Sequence, residues 1–418
     1  MFFKGQHQIQ NLYDSHVHWL YTGQIHSSWQ LRGLTPLQII KAEPKEFMKR
    51  GKWIYGFGWD EAFWNKDTKI DRQYLDQKWP ETPVFLSRAD GHASWLNSAA
   101  LKELGLYHEA HTGHLKESEH IKALMGLPDF SLQQKYEQLK VATQLFNQAG
   151  FSHIRDMTSS VEQWELNKKL FSDSKPVLHV EHWFVCETLE NLKFQIAAAL
   201  DCQQTQNQFM KMRGIKLFID GSLGSHTAFL SQDYQGYGGR GQMNWTEQDI
   251  ESALQTVWSS GLEIALHCLG DEAVDRVVKC ARKVYSQGIQ GKLHLEHVEI
   301  LRTDTIHLMK PLHVHCHLQP CHWESDKNWL KEKLPELWKF SFPWSALEKN
   351  KIPFSFGSDS PIEKSDFFQN LKSIKNAEGE GLLPTKENPV RYHTYPFNDG
   401  PNFTTTIEND QVISVEIN

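Results

Sequence analysis

The sequence predicts an α/β protein built as a (β/α)8 barrel of the TIM type. A large insertion follows the first strand, and a reduced β segment closes the chain. Three observations carry this. Eight short runs rich in apolar and β-branched residues end in polar side chains, helix-like segments separate most of them, and one interval is far too long for a loop.

The runs, in order, are NLYDSHVHW (11–19), FSHIRDM (151–157), VLHVEHWFV (177–185) and GIKLFIDG (214–221), followed by LEIALHCLG (262–270), KLHLEHVEI (292–300), LHVHCHLQP (312–320) and IPFSFGSDS (352–360). Between them, residues 133–150 carry an apolar stripe ending at Gly150, a residue suited to the left-handed C-cap of a helix. Residues 246–261 open on the capping residue Thr246 and end at Gly261, and 270–288 form a third helical pattern. A doubly wound open sheet would show the same alternation. The polar residues at the strand ends favour the barrel, where such ends converge.

Residues 20–132 separate the first run from the second. They hold strand-like runs at 52–60 and 82–90 and a helix-like segment at 94–105, which predicts an inserted subdomain over the barrel mouth. The barrel itself spans 11–365. Residues 385–418 read as a short C-terminal β segment, with a hairpin over 403–418 turning at Asn409 and Asp410. The Gly-rich GYGGRG (236–241) does not join a strand to a helix and reads as a loop, not a phosphate cradle.

With 418 residues, a net charge of −7 and no dense Lys/Arg block, the chain lacks a nucleic-acid surface. Its six cysteines form no CxxC pair and read as free thiols in a reducing compartment. The N-terminus lacks the apolar core of a signal peptide, and no apolar run approaches membrane-spanning length. The expectation is a cytoplasmic protein acting on a small molecule, with no nucleic-acid or membrane partner and with a homodimer open to it.

The strand ends carry His16 and His18, Asp156, His182, Lys216 with Asp220, His267, His297, then His315, His317 and Gln319, and finally Asp359. Residues at i and i+2 share a strand face, so His16 and His18 can point at one spot. A histidine pair on a strand serves packing more often than metal, and a lone Asp after a strand is usually a helix cap. His16, His18, Lys216, His267, His297 and Asp359, together at the ends of strands one, four, five, six and eight, are harder to explain by packing. His and carboxylate donors suit zinc, and also manganese, iron or nickel. A metal so held lowers the pKa of its water and polarises a carbonyl.

In DSHVH, GFGWDEAFW, PVFLSRADGHASWLNSAAL, GIKLFIDGSLGSHTAFL, ALHCLGDEAVD, HLEHVEI, HLQPCHWESD and FSFGSDSPIE, the chain resembles the amidohydrolase superfamily, most closely its amidohydrolase-3 branch of N-substituted formamide deformylase-like enzymes. The resemblance implies a metal-dependent barrel that hydrolyses carbon–nitrogen bonds other than peptide bonds. It implies His16, His18, Lys216, His267, His297 and Asp359 as ligands to one or two divalent ions, with Asp359 also the general base. It further implies that Lys216 can be N6-carboxylated to a carbamate.

Trp59, Asp60, His92, His226 and His322 correspond to substrate-binding positions; Asp220, Asp271 and Glu296 are candidates to support the ligands. The resemblance also implies a small β-sandwich, whose N-terminal half looks absent here. The tryptophans of the insertion (Trp53, Trp59, Trp64, Trp79, Trp95) suggest either an aromatic pocket or a subdomain core. Two other functions stay open: the same metal site acting on an ester, lactone or phosphoester, and a catalytically silent relative that only binds ligand.

Overall fold

Eight parallel strands form the central sheet of the computed structural model, which describes residues 2–45, 49–61, 64, 71–89, 93–109, 111–174, 177–380, 382 and 389–418. They are β1 (Tyr13–Val17), β2 (His153–Ser159), β3 (His179–Val185), β4 (Met210–Phe218), β5 (Glu263–Cys268), β6 (Lys292–His297), β7 (His313–Leu318) and β8 (Phe354–Phe356), and each pairs with its chain neighbour in that order. All seven ladders are parallel. Closure between β8 and β1 rests on a single parallel bridge, Val17 to Ser360, with Asp359 N–H donating to the His16 carbonyl at 2.8 Å and His18 N–H to that of Ser360 at 2.8 Å. The α/β architecture is therefore a nearly closed eight-stranded barrel with additional sheets.

Two features make that seam. The buried Asp14 of β1 accepts from Ser358 N–H (2.7 Å), Ser358 Oγ (2.7 Å) and Ser365 Oγ (2.9 Å), tying β1 to the segment after β8. A Cβ on Gly357 would stand 2.5 Å from the His16 backbone nitrogen, so only glycine lets the two strands approach this closely. Asp14→Ala is expected to cost about 2–4 kcal/mol in denaturant unfolding, because it strands buried donors at the seam.

The helical segments follow their sequence signals. Thr246 caps the helix Glu247–Ser259, accepting from Asp249 N–H at 3.1 Å. Residues 133–150 form most of the helix Leu132–Gln148, and Asp271–Ser286 is the third. The stretch 94–105 is only partly helical. Ala93–Leu96 is a strand and Ser98–Glu103 a helix, divided at Asn97, whose side chain caps the helix through Ala100 N–H (2.9 Å). Among the described residues, no helix is long and apolar enough to cross a membrane, and all six cysteines are free and buried.

The chain divides into two compact units, Met1–Trp19 with Thr143–Asn418, and Leu20–Ala142. The second has its own mixed sheet, built on Trp53–Trp59, Val84–Arg88 and Ala93–Leu96. Its five tryptophans named above are all buried, in two apolar clusters. They are the core of this unit, since burying large aromatic surface is what holds so small a sheet together.

At the chain termini the reading needs correcting. Phe403–Glu408 and Gln411–Ile417 do form a hairpin, turning at Asn409 and Asp410 with φ of 50° and 60°. The N-terminus is not bare, however. Gln6–Gln10 pairs antiparallel with Phe403–Glu408 and makes a third strand. Residues 385–388 of the expected C-terminal segment lie outside the described residues.

Below the barrel mouth, Glu263 at the start of β5 accepts from Lys292 Nζ at 2.7 Å and His294 Nε2 at 2.8 Å. Burial alone would raise this carboxyl, but the hydrogen bonds from His294 and Lys292 outweigh it and hold Glu263 well below the usual range. Burial keeps His294 itself below its ordinary value, so Lys292 supplies the positive charge. A depressed carboxyl contributes stability above its unfolded pKa of about 4.3, and that contribution is lost as pH falls towards the folded value. Glu263→Gln is expected to cost about 1–3 kcal/mol at neutral pH. Urea unfolding should show the difference shrinking in acid, below about pH 4.

Candidate metal centre

Consecutive residues on a barrel strand alternate between the interior and the helices, and the strand ends deliver the interior set to one mouth. His16 lies in β1 and His18 just beyond it, Lys216 in β4, His267 in β5, and His297 ends β6, while Asp359 follows β8 by three residues. Among the described residues, His16, His297 and Asp359 are the one set of three whose candidate ligand atoms all lie within 4.8 Å of one another. His18 Nε2 is 3.0 Å from Asp359 Oδ1, and the His267 ring packs edge-on against His297 at 4.6 Å between centroids. Lys216 is fully buried and close enough to His16 and His267 to depress both.

His16, His267 and His297 are each fixed by a hydrogen bond through one ring nitrogen. His16 Nδ1–H donates to Glu296 at 2.6 Å, His297 Nδ1–H to Gln319 Oε1 at 3.0 Å, and His267 Nε2–H to the Gly221 carbonyl at 3.2 Å. Burial lowers His16 to about 4 and His267 to about 3, and holds His297 well below its ordinary value, so all three present neutral lone pairs. Burial also brings Lys216 down to about 8. Burial would raise the Asp359 carboxyl, but it stands well below the usual range beside His16, His18 and His297, with His18 Nε2 at 3.0 Å from its Oδ1.

These residues fit a divalent cation. The donor set is three neutral imidazoles, a fourth at His18, and an ionised carboxylate. Lys216 Nζ and Asp359 Oδ1 are moreover buried without a well-aligned hydrogen bond, although such atoms are costly to leave unsatisfied. Asp359 also has φ of 61°, a conformation that most side chains avoid.

Among the supporting residues, Glu296 does orient a candidate ligand. Burial would raise its carboxyl, but Arg155, His317, Lys216 and the bond to His16 hold it well below the usual range. Asp220 and Asp271 serve other partners. Asp220 accepts the backbone N–H groups of Phe229, Leu269 and Gly270 at 3.0–3.1 Å and so organises two loops. Asp271 begins the helix Asp271–Ser286, accepting from Ser231 N–H at 3.0 Å and pairing with Arg302 at 2.7 Å. Neither meets a candidate ligand through these bonds. Lys216 and Asp220, at the end of one strand, do not form an ion pair, because Asp220 is committed to backbone donors.

The expected substrate contacts divide similarly. His322, in the first turn of Pro320–Lys333, places Nε2 at 3.6 Å from Asp359 Oδ2. His226 sits in the loop after β4, stacked on Tyr237 at 3.7 Å and edge-on to Tyr234 at 5.0 Å. Trp59 is fully buried, with Nε1–H donated to the Leu86 carbonyl at 2.8 Å, and belongs to the core of its own unit. Asp60 is half-buried just past that strand, and His92 lies outside the described residues.

Asp156 and His182, also read as strand-end candidates, face the helices. Asp156 accepts from Trp19 N–H, Ser159 and Gln163, and His182 meets Ser159 and Asn167. The interior residue of β2 is instead Arg155, whose Nη1 donates to Glu296 at 2.7 Å across the barrel. Gln319, one of the strand-end residues, holds His297, while Arg155, Thr158 (3.1 Å from His18 Nδ1) and Glu299 (2.9 Å from His322 Nδ1) support the site without having been singled out from the sequence.

Comparison with known proteins agrees with this construction. LONG AFTER FAR-RED 3 of Arabidopsis thaliana is 25% identical over 410 residues, covering 90% of this chain and 69% of that protein. YtcJ of Bacillus subtilis, an inferred amidohydrolase, is 24% identical over 382 residues, covering 86% of this chain and 71% of YtcJ. The crystal structure of an uncharacterised metal-dependent hydrolase from Pyrococcus horikoshii superposes with a TM-score of 0.75 at 25% identity, over 91% of this chain and 76% of that one. A second, from Pyrococcus furiosus, shares the fold with the same TM-score of 0.75 at 23% identity, over 88% and 77%. The model of the Amidohydrolase family matches residues 12–382, barrel strands and candidate ligands included, and the chain belongs to that family.

Proposed function

We propose that this protein is a metal-dependent amidohydrolase that cleaves a carbon–nitrogen bond other than a peptide bond in a small amide, N-formyl or cyclic amide substrate. The observation that carries the reading is the convergence of His16, His297 and Asp359 within 4.8 Å at the mouth of an amidohydrolase-family barrel. His16, His18, His267, His297 and Asp359 would hold one or two divalent ions, zinc first and manganese, iron or nickel next, with Lys216 joining them as its carbamate. An ion so held supplies Lewis-acid polarisation of the substrate carbonyl and a water acidic enough to attack near neutral pH.

The chain's own residues supply the rest. Glu296, Gln319 and the Gly221 carbonyl fix three imidazoles, each leaving a lone pair on its second ring nitrogen. Asp359, held ionised, is placed to accept a proton at the reacting centre and return it to the leaving nitrogen. His322 faces the same carboxylate from the substrate side. Burial brings Lys216 down to about 8, towards the neutral amine that reaction with carbon dioxide requires.

A panel of N-formyl, N-acyl, cyclic amide, ester and lactone substrates, assayed with added zinc or manganese, tests this. The proposal expects turnover of at least one amide class, abolished by a chelator and restored by metal. Turnover confined to esters or lactones would move the reading to the other bond, and none on any substrate would leave the silent relative.

A further inference from the structure

The end of β6 is the most contorted stretch of the barrel. His297 and Val298 both lie in the left-handed region, with φ of 72° and 44°. One such residue is uncommon, and a β-branched valine there is a conformation that sterics strongly disfavour. The turn is held from several sides. Val298 N–H donates to Cys268 O at 3.1 Å and Ile300 N–H to Leu269 O at 3.1 Å, while the Glu299 carbonyl accepts from Phe342 N–H at 2.7 Å. Strain maintained in this way marks a place where the backbone must deliver a side chain that a regular strand could not.

The side chain delivered is Glu299. On an unbroken strand, His297 and Glu299 would share a face, two residues apart. The turn instead sends the Glu299 carboxylate, 3% exposed, to the first turn of the helix Pro320–Lys333. There Oε1 accepts from His322 Nδ1–H at 2.9 Å, while Oε2 is left without a hydrogen-bond partner. The His322 ring lies parallel to that of His297, at 8° and 6.0 Å between centroids. Its Nε2 is buried without a partner, 3.6 Å from Asp359 Oδ2, too far for a direct hydrogen bond. A nitrogen in that position is available to a substrate group sitting to one side, within reach of both it and the carboxylate.

We propose that Glu299 is a positioning residue. It fixes the His322 ring so that Nε2 faces the substrate beside Asp359, and the left-handed turn at His297–Val298 serves to bring it there. The proposal rests on the hydrolase reading for the use made of His322, but not for the contact itself. A purely structural strut between β6 and the helix would show the same distance, so the test must separate the two.

The test uses the full-length, metal-loaded chain, with histidine-selective 15N labelling and with the panel substrate that the wild type turns over. NMR should show a hydrogen-bonded proton on His322 Nδ1, assigned by its absence in His322→Gln and lost in Glu299→Ala. Glu299→Ala should lower kcat about 10–100-fold with KM nearly unchanged and metal content intact. In a His322→Gln background it should cause no further loss, since both act through one ring. Glu299→Gln, which can still accept from Nδ1–H, should recover part of the rate.

Additive losses in the double variant, loss of metal from Glu299→Ala, or a wild type without the Nδ1 proton would overturn the proposal. Normal turnover by Glu299→Ala would overturn it while sparing the hydrolase reading. A Glu299-dependent Nδ1 proton in a chain that hydrolyses nothing would instead count against the hydrolase reading and uphold the contact.

Discussion

Asp359→Asn is expected to lower kcat/KM by about 10²–10⁴-fold without unfolding the protein. Asparagine keeps the size of the side chain and tolerates the φ of 61° that this position imposes, so the barrel seam at His16 and Ser360 should survive. What is removed is the charge. In the proposed reaction the carboxylate is both a donor in the candidate metal set and the proton acceptor, and an amide oxygen is a poor substitute for either. Circular dichroism and thermal unfolding close to wild type, together with the loss of turnover on the active panel substrate, would check this. Near-normal turnover by Asp359→Asn would remove the residue from the chemistry.

Glu296→Ala is expected to have the largest effect on stability. Arg155 and Glu296 lie on β2 and β6, on opposite sides of the barrel, both almost fully buried, and meet at 2.7 Å. Arg155 already has Nε and Nη2 without partners, so removing Glu296 leaves a buried guanidinium unpaired, at a cost of about 3–5 kcal/mol. The same change frees His16 Nδ1 and should weaken metal binding by about 10–100-fold. The two effects separate in a double replacement. Arg155→Met with Glu296→Met should restore much of the stability, because no unpaired charge remains, but none of the metal affinity. Urea unfolding and metal titration of both variants would show it.

The eight strands were legible because their apolar runs are short and end in polar residues, with capped helices such as 246–261 between them. Lys216, His267 and His297 stood out for the same reason, as polar residues where a buried strand finishes. The rest depended on what a linear reading cannot reach. In FSHIRDM, adjacent polar residues point to opposite faces, and only the closed barrel shows that Arg155 is inside and Asp156 outside. Glu299 was hidden because two consecutive left-handed residues reverse the alternation that would have placed it. Gln6–Gln10 carries no apolar alternation, and its pairing partner lies almost 400 residues away along the chain. Trp59 sits in the core of its own unit, whose sheet is held together by its aromatic surface.

The central claim is that these strand ends form a metal centre, and metal analysis of the chain purified without chelator tests it most directly. The expected result is one to two equivalents of zinc, manganese, iron or nickel in the wild type, falling sharply in His297→Gln and Asp359→Asn while both remain folded. A wild type that carries no metal and takes up none on titration, or variants that bind it as the wild type does, would contradict the assignment.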